Sequence, residues 1–150
     1  MKSLFFALLL GASGSLILVP QTVGATTERE ADSREAREAL TFRYAEFVGA
    51  FRARNWRHVC DFVTDETQAG FGPGQMGCEG VKAVFAEDRD CWDDMVFALR
   101  QGCRVNADAT ACSSPPQLGS DVIHLGARAA FSYDPDSDEL KASWLICGGD

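Results

Sequence analysis

The residues here that could do chemistry are six cysteines, two histidines and a scatter of acids. The cysteines are Cys60, Cys78, Cys91, Cys103, Cys112 and Cys147. None of them has the close spacing of a zinc knuckle or of a C-x-x-C redox motif. An even number in an exported chain reads instead as three disulfides, whose connectivity the count alone leaves open. His58 and His124 form no paired-histidine metal motif, and no G-x-S-x-G nucleophile elbow is present. General base catalysis would need a carboxylate or imidazole of tuned pKa within reach of a substrate proton. Taken alone, Asp61, Asp94 and His124 are each read as solvated or structural side chains. Gly72-Pro73-Gly74-Gln75-Met76-Gly77 matches the dinucleotide fingerprint in spacing, but Pro73 removes a backbone donor. The fingerprint also needs a strand before it, and the pattern here places a helix end there, so a plain loop is expected. Asp134, Asp136 and Asp138 resemble the first ligands of a calcium loop. Glu139 and Leu145 then stand where such a loop requires glycine and glutamate, so a hairpin turn is expected.

The elements that must position these residues begin after a targeting segment. Residues 1–25 read as a secretory signal peptide: Lys2, an apolar run from Leu4 to Val19, and Val23-Gly24-Ala25 at the cleavage position. The apolar run falls short of the ~20 residues a spanning helix needs. Cleavage removes Lys2, leaving 13 of the 14 basic residues against all 22 acidic ones, so the net charge moves from −8 to −9. That charge excludes a nucleic-acid partner, whose phosphates demand a basic surface, and disfavours anionic membranes. Residues 26–33 read as a flexible leader, and residues 34–150 as one domain.

Leu40, Tyr44, Phe47, Val48 and Phe51 recur at helical spacing, which predicts a long helix over 34–54 with Ser33 as its cap. A short helix over 55–63 follows, capped by Asn55. The polar, glycine-rich stretch 64–77 reads as a loop, and a third helix runs to Ala86. Residues 90–101 read as a helix with Asp90 as cap, although Met95–Leu99 also suit a buried strand. From Gly102 the texture is of strands: 102–105, 122–125, 127–133 and 140–146, with 107–119 as a loop. In the last strand Leu140, Ala142, Trp144 and Ile146 alternate as the buried set. Helices first and strands afterwards predict an α+β domain with helices on one face of an antiparallel sheet.

A long first helix ending in Phe51-Arg52-Ala53-Arg54-Asn55-Trp56, then Cys60, a threonine-rich turn, Cys78 opening another helix, and a closing strand bearing Trp144 resemble the secreted branch of the NTF2-like superfamily. The resemblance covers residues 34–150. It implies three or four helices packed on a curved antiparallel sheet to form a cone, stapled by disulfides. It also implies the bond Cys60–Cys78. Cys103 and Cys112 are then assigned to each other across a short loop, leaving Cys91 with Cys147. The open end of such a cone usually holds an apolar pocket, for which Tyr44 and Trp56 are the candidate walls. The expected function is a secreted or periplasmic, non-catalytic domain, without cofactor or metal, that binds a small apolar ligand or a protein partner. The resemblance also implies an alternative, a cofactor-free isomerase or cyclase using an Asp or His base, for which Asp61, Asp94 and His124 are the candidates. A purely structural or interaction module, pairing as a homodimer through its sheet, is another.

Overall fold

The computed structural model describes residues 24–70, 75–118 and 126–148. The expected signal peptide lies almost wholly outside them, as does the expected strand 122–125. Between Gly24 and Gly49 the chain has no proline and no interior glycine, and it is rich in alanine, glutamate and arginine, all strong helix formers. Helix α1 accordingly spans Gly24–Arg52, and residues 26–33 belong to it instead of forming a loose leader. Arg54, at φ 52, turns the chain out of the helix in the left-handed region. Its guanidinium lies 4.2 Å from the centre of the Trp92 ring, an attraction of cation and π-face.

Helix α2 (Trp56–Asp61) is capped by Asn55, whose side chain accepts from the His58 N–H. Helix α3 spans Gly77–Glu87 and helix α4 spans Arg89–Arg100. The α4 cap is Asp88, which accepts from the Cys91 N–H at 3.0 Å, two residues earlier than the expected Asp90. α4 settles the helix-or-strand ambiguity as helix: Cys91, Met95, Ala98 and Leu99 form its buried stripe. Gly80 matters for packing, because a Cβ there would stand 2.4 Å from the Gln75 carbonyl carbon. Only glycine lets α3 pack this closely on the preceding turn.

Among the described residues five strands form one sheet in the order β1-β5-β4-β3-β2. They are β1 (Val63–Ala69), β2 (Arg104–Val105), β3 (Ala111–Ser114), β4 (Arg128–Asp134) and β5 (Glu139–Ile146). Strands β2 to β5 pair antiparallel, but β1 pairs parallel with β5, so the sheet is mixed and not purely antiparallel. Two strands replace expected loops. β1 is irregular: its register with β5 jumps between Val63 and Gln68, and the buried Thr67 bridges the gap. The Thr67 hydroxyl donates to the Ala142 carbonyl and accepts from the Thr64 N–H. β3 forms because Asn106 organises the turn before it, accepting at Oδ1 from the N–H groups of Thr110 and Ala111.

The helices cover one face of the sheet, and the space between is filled. Phe47 packs against Phe51, Phe62 and Phe131 at centroid distances of 5.8, 5.6 and 4.9 Å. Leu40, Phe85, Met95, Leu99 and Leu145 complete the core. Disulfides Cys60–Cys78 and Cys91–Cys147 join α2 to α3 and the start of α4 to the residue after β5. The expected bond Cys103–Cys112 is not formed, and both are free thiols. Arg104 faces Ser113 and Val105 faces Cys112, so the two sulfurs sit diagonally on the hairpin instead of opposite one another.

Candidate functional site

Among the described residues the helices lie on one side of the sheet and leave the other side open. The pairing aligns a row across all five strands on that open side: Arg104, Ser113, Ala130, Trp144 and Gln68. Arg104 and Trp144 are three strand spacings apart, about 14 Å. Between them the side chains are small, with Ala111, Ser132 and Ser143 in the flanking positions. The result is a shelf of about 420 Å³, with an indole at one end, a guanidinium at the other and hydroxyls along its floor.

A bulge puts the indole there. Ala130 pairs with Trp144 while Phe131 pairs with Ala142, so Ser143 is one residue more than β4 can match. Leu140 and Ala142 point into the core before the bulge, and Leu145 points in after it. Trp144 and Ile146, expected inside with Leu140 and Ala142, are therefore turned to the outer side and are only half-buried. The shelf residues escape prediction for that reason: the run Trp144-Leu145-Ile146 carries no alternation that reveals its phase.

Among the described residues, those singled out from the sequence do not come together. Tyr44 is buried, but as a strut and not a pocket wall. Its hydroxyl donates to the Leu99 carbonyl at 2.7 Å and lies 3.0 Å from Ser114 Oγ, which itself donates to the Ala98 carbonyl. One hydroxyl pair thus ties α1, α4 and β3 together. Trp56 is half-buried and meets Phe51 edge to face at 5.8 Å. Asp61 is exposed at the end of α2, where its carboxylate lies 3.0 Å from His58 Nδ1 and its carbonyl accepts from Lys141. Asp94 is exposed on α4. His124 lies outside the described residues.

The motifs resolve differently from one another. A strand, β1, and not a helix end, precedes the glycine-rich hexapeptide, whose residues 72–74 lie outside the described residues. Met76 pairs back antiparallel with Gln68, and the Ala69 N–H donates to the Gln75 carbonyl. That fold-back, with Glu79 in the first turn of α3, differs from the open turn a pyrophosphate requires. The acid-rich turn is held by its own hydrogen bonds: Asp134 accepts from the Asp136 N–H and the Ser137 hydroxyl. These bonds lower the Asp134 pKa, the Ser137 hydroxyl being the largest influence. Asp138 accepts from both Nε and Nη2 of Arg43, which holds its carboxyl below the usual range. Among the described residues, no group of three or more His, Cys, Asp or Glu side chains could hold a metal ion.

The chain has two tyrosines, and both are perturbed in the same direction. Burial pushes the Tyr44 phenol far above its ordinary value. Tyr133 is pushed up to about 12, by burial first and then by its hydrogen bond to Asp138. A raised folded-state pKa gives stability that is fully present below the unfolded value of about 10 and is lost as pH rises through the folded values. Near-ultraviolet titration should therefore show almost no phenolate in the folded chain at about pH 11, and phenolate from both rings once urea unfolds it. A folded-state midpoint near 10 for either ring would contradict its placement.

Among the described residues, no helix is long and apolar enough to cross a membrane. Searches found no protein-family model, no curated protein and no solved structure that matches this chain.

Proposed function

We propose that this is a non-catalytic binding domain, acting outside the cytoplasm, that holds a partner polypeptide against the open side of its sheet. One contrast carries the reading. The space between helices and sheet, where a cone would keep its pocket, is packed with Phe47, Phe51, Phe85 and Phe131, all at most 1% exposed. The uncovered side instead offers the Trp144 shelf, whose small floor admits a close-lying chain. An indole and a guanidinium are the side chains most enriched where binding energy concentrates. The shelf is open along its length, whereas a small ligand is usually enclosed over most of its surface. Two disulfides support the extracytoplasmic placement. The succession of long helix, short helix, strand, helices and strands supports kinship with secreted NTF2-like domains.

A small apolar ligand on the same shelf is the second reading, favoured by a volume within the range of ligand sites. The isomerase alternative calls for an ionisable side chain inside a closed apolar pocket, and neither Asp61 nor Asp94 occupies one.

Native mass spectrometry of the protein recovered from its own host separates these readings. The partner reading expects a second polypeptide, or a second copy, on the wild-type chain. Trp144→Asp and Ser132→Arg, both on the outer side, should each weaken that complex by about tenfold or more while the chain keeps its fold by circular dichroism. A bare monomer, or a complex indifferent to both substitutions, would defeat the proposal. A bound small molecule lost with Trp144→Asp would establish the second reading instead.

A further inference from the structure

The two unbonded cysteines differ from the four bonded ones in where they sit. Each closed disulfide joins separate elements, whereas Cys103 and Cys112 lie on one hairpin that the β2–β3 ladder already holds together. Both point to the core side of the sheet, and both sulfurs lie close enough to the Tyr44 phenol to influence it. Cys112 is 3% exposed, while Cys103 is only half-buried and follows Gly102, whose φ of +90° and open surroundings leave room for a hinge. β2 is a two-residue strand at the sheet edge, so little holds Cys103 against a small rotation. Diagonal hairpin neighbours stand roughly 7–8 Å apart at Cα, whereas disulfides prefer about 4.4–6.8 Å. The two thiols already touch across this diagonal, so a small inward movement of β2 is enough to close the bond, and a bond held at that wider backbone spacing is more easily reduced than an unstrained one.

We propose that Cys103 and Cys112 are a reversible dithiol, closing by exchange with a small-molecule disulfide and reopening under conditions that leave Cys60–Cys78 and Cys91–Cys147 intact. The accessible Cys103 reacts first. Its thiolate attacks one sulfur of the incoming disulfide, forming a mixed disulfide and releasing one thiolate. The Cys112 sulfur, giving up its proton, then attacks the Cys103 sulfur and releases the second. The two protein thiols lose two electrons and two protons in total, and the small disulfide becomes two thiols. Cys112 suits the second role, because its contact with the Cys103 thiol and its burial both hold it protonated until the mixed disulfide forms beside it. Arg104 follows Cys103 directly, so closure also moves the cation at the rim of the shelf. The exchange itself does not depend on what the shelf binds.

The test uses the full chain equilibrated in buffers of reduced and oxidised glutathione, quenched by alkylation and mapped by mass spectrometry without reduction. The expected result is two alkylated residues, Cys103 and Cys112, in the reduced buffer. In the oxidised buffer a 103–112 linkage should replace them, with the other four cysteines bonded throughout. Cys112→Ser should trap one glutathione on Cys103. Cys103→Ser should slow the reaction of Cys112 at least about tenfold, as burial requires. The proposal fails if both thiols stay alkylatable in oxidised glutathione or if the wild type accumulates the glutathione adduct. It fails equally if the 103–112 bond resists the reduced buffer as the other two do.

Discussion

Replacing Phe47 with alanine should destabilise the fold by about 3–5 kcal/mol, the usual cost of deleting a fully buried aromatic ring. Phe47 is 0% exposed and stands at the crossing of α1 with the sheet, touching rings from three other places in the chain. Two of those rings, Phe62 and Phe131, meet it edge to face, a geometry worth about 0.5–1.5 kcal/mol beyond area burial. The surrounding side chains come from separate elements and cannot collapse together into the space. Against a total stability of about 5–15 kcal/mol, such a loss removes a large fraction of the folding free energy. Phe42 on the same helix is 63% exposed, and its replacement by alanine should stay within about 0.5 kcal/mol. Urea unfolding of the two variants measures both. Equal losses would mean that α1 turns a different face to the sheet.

Removing Cys91–Cys147 by paired alanine substitutions should cost about 4 kcal/mol, and removing Cys60–Cys78 about 3 kcal/mol. The difference comes from chain entropy. The first bond spans 56 residues and the second 18, and a longer loop loses more freedom in the unfolded state when it is closed. The first also fastens the end of β5 to the start of α4, so it joins sheet to helix layer. Comparing the unfolding midpoints of the two double variants decides the order. A larger loss on removing Cys60–Cys78 would place the stabilisation in contacts around α2 and α3, and not in loop closure.

Periodicity exposes the helices well because a helix with one buried face must repeat it. Leu40, Tyr44, Phe47 and Phe51 do so, and the end of α1, together with α3 and α4, lies close to where those stripes put it. The start of α1 was hidden because residues 26–33 have no apolar stripe to signal it; their helix rests on intrinsic propensity and on continuity with the turns that follow. β1 was hidden because its only fully buried side chains, Thr67 and Ala69, stand among exposed polar ones, and its pairing partner lies far along the chain. β3 was hidden among alanines, serines and prolines, where small size and not hydrophobicity lets the strand sit between β2 and β4. Of the bonded pairs, Cys60–Cys78 is the one the family resemblance implied, whereas Cys91–Cys147 was only what remained once Cys103 and Cys112 had been assigned to each other. The shelf was the least visible feature. Its defining residue depends on Ser143, an extra residue that turns Trp144 outward, and strand parity alone sends Trp144 the other way.

The parallel pairing of β1 with β5 has a consequence for the order in which the chain is made. β5 lies between β1 and the β4-β3-β2 meander, and Thr67 meets Ala142 across 75 residues of sequence. At translation rates of about 5–20 residues per second, roughly 4–15 s separate the synthesis of those two partners. During that interval β1 has no neighbour, and the aromatic stripe of α1 has only part of its sheet to cover it. Contacts this distant in sequence also slow folding once the chain is complete. The nascent protein therefore passes several seconds with its sheet incomplete before β5 locks it, a state suited to a holding chaperone.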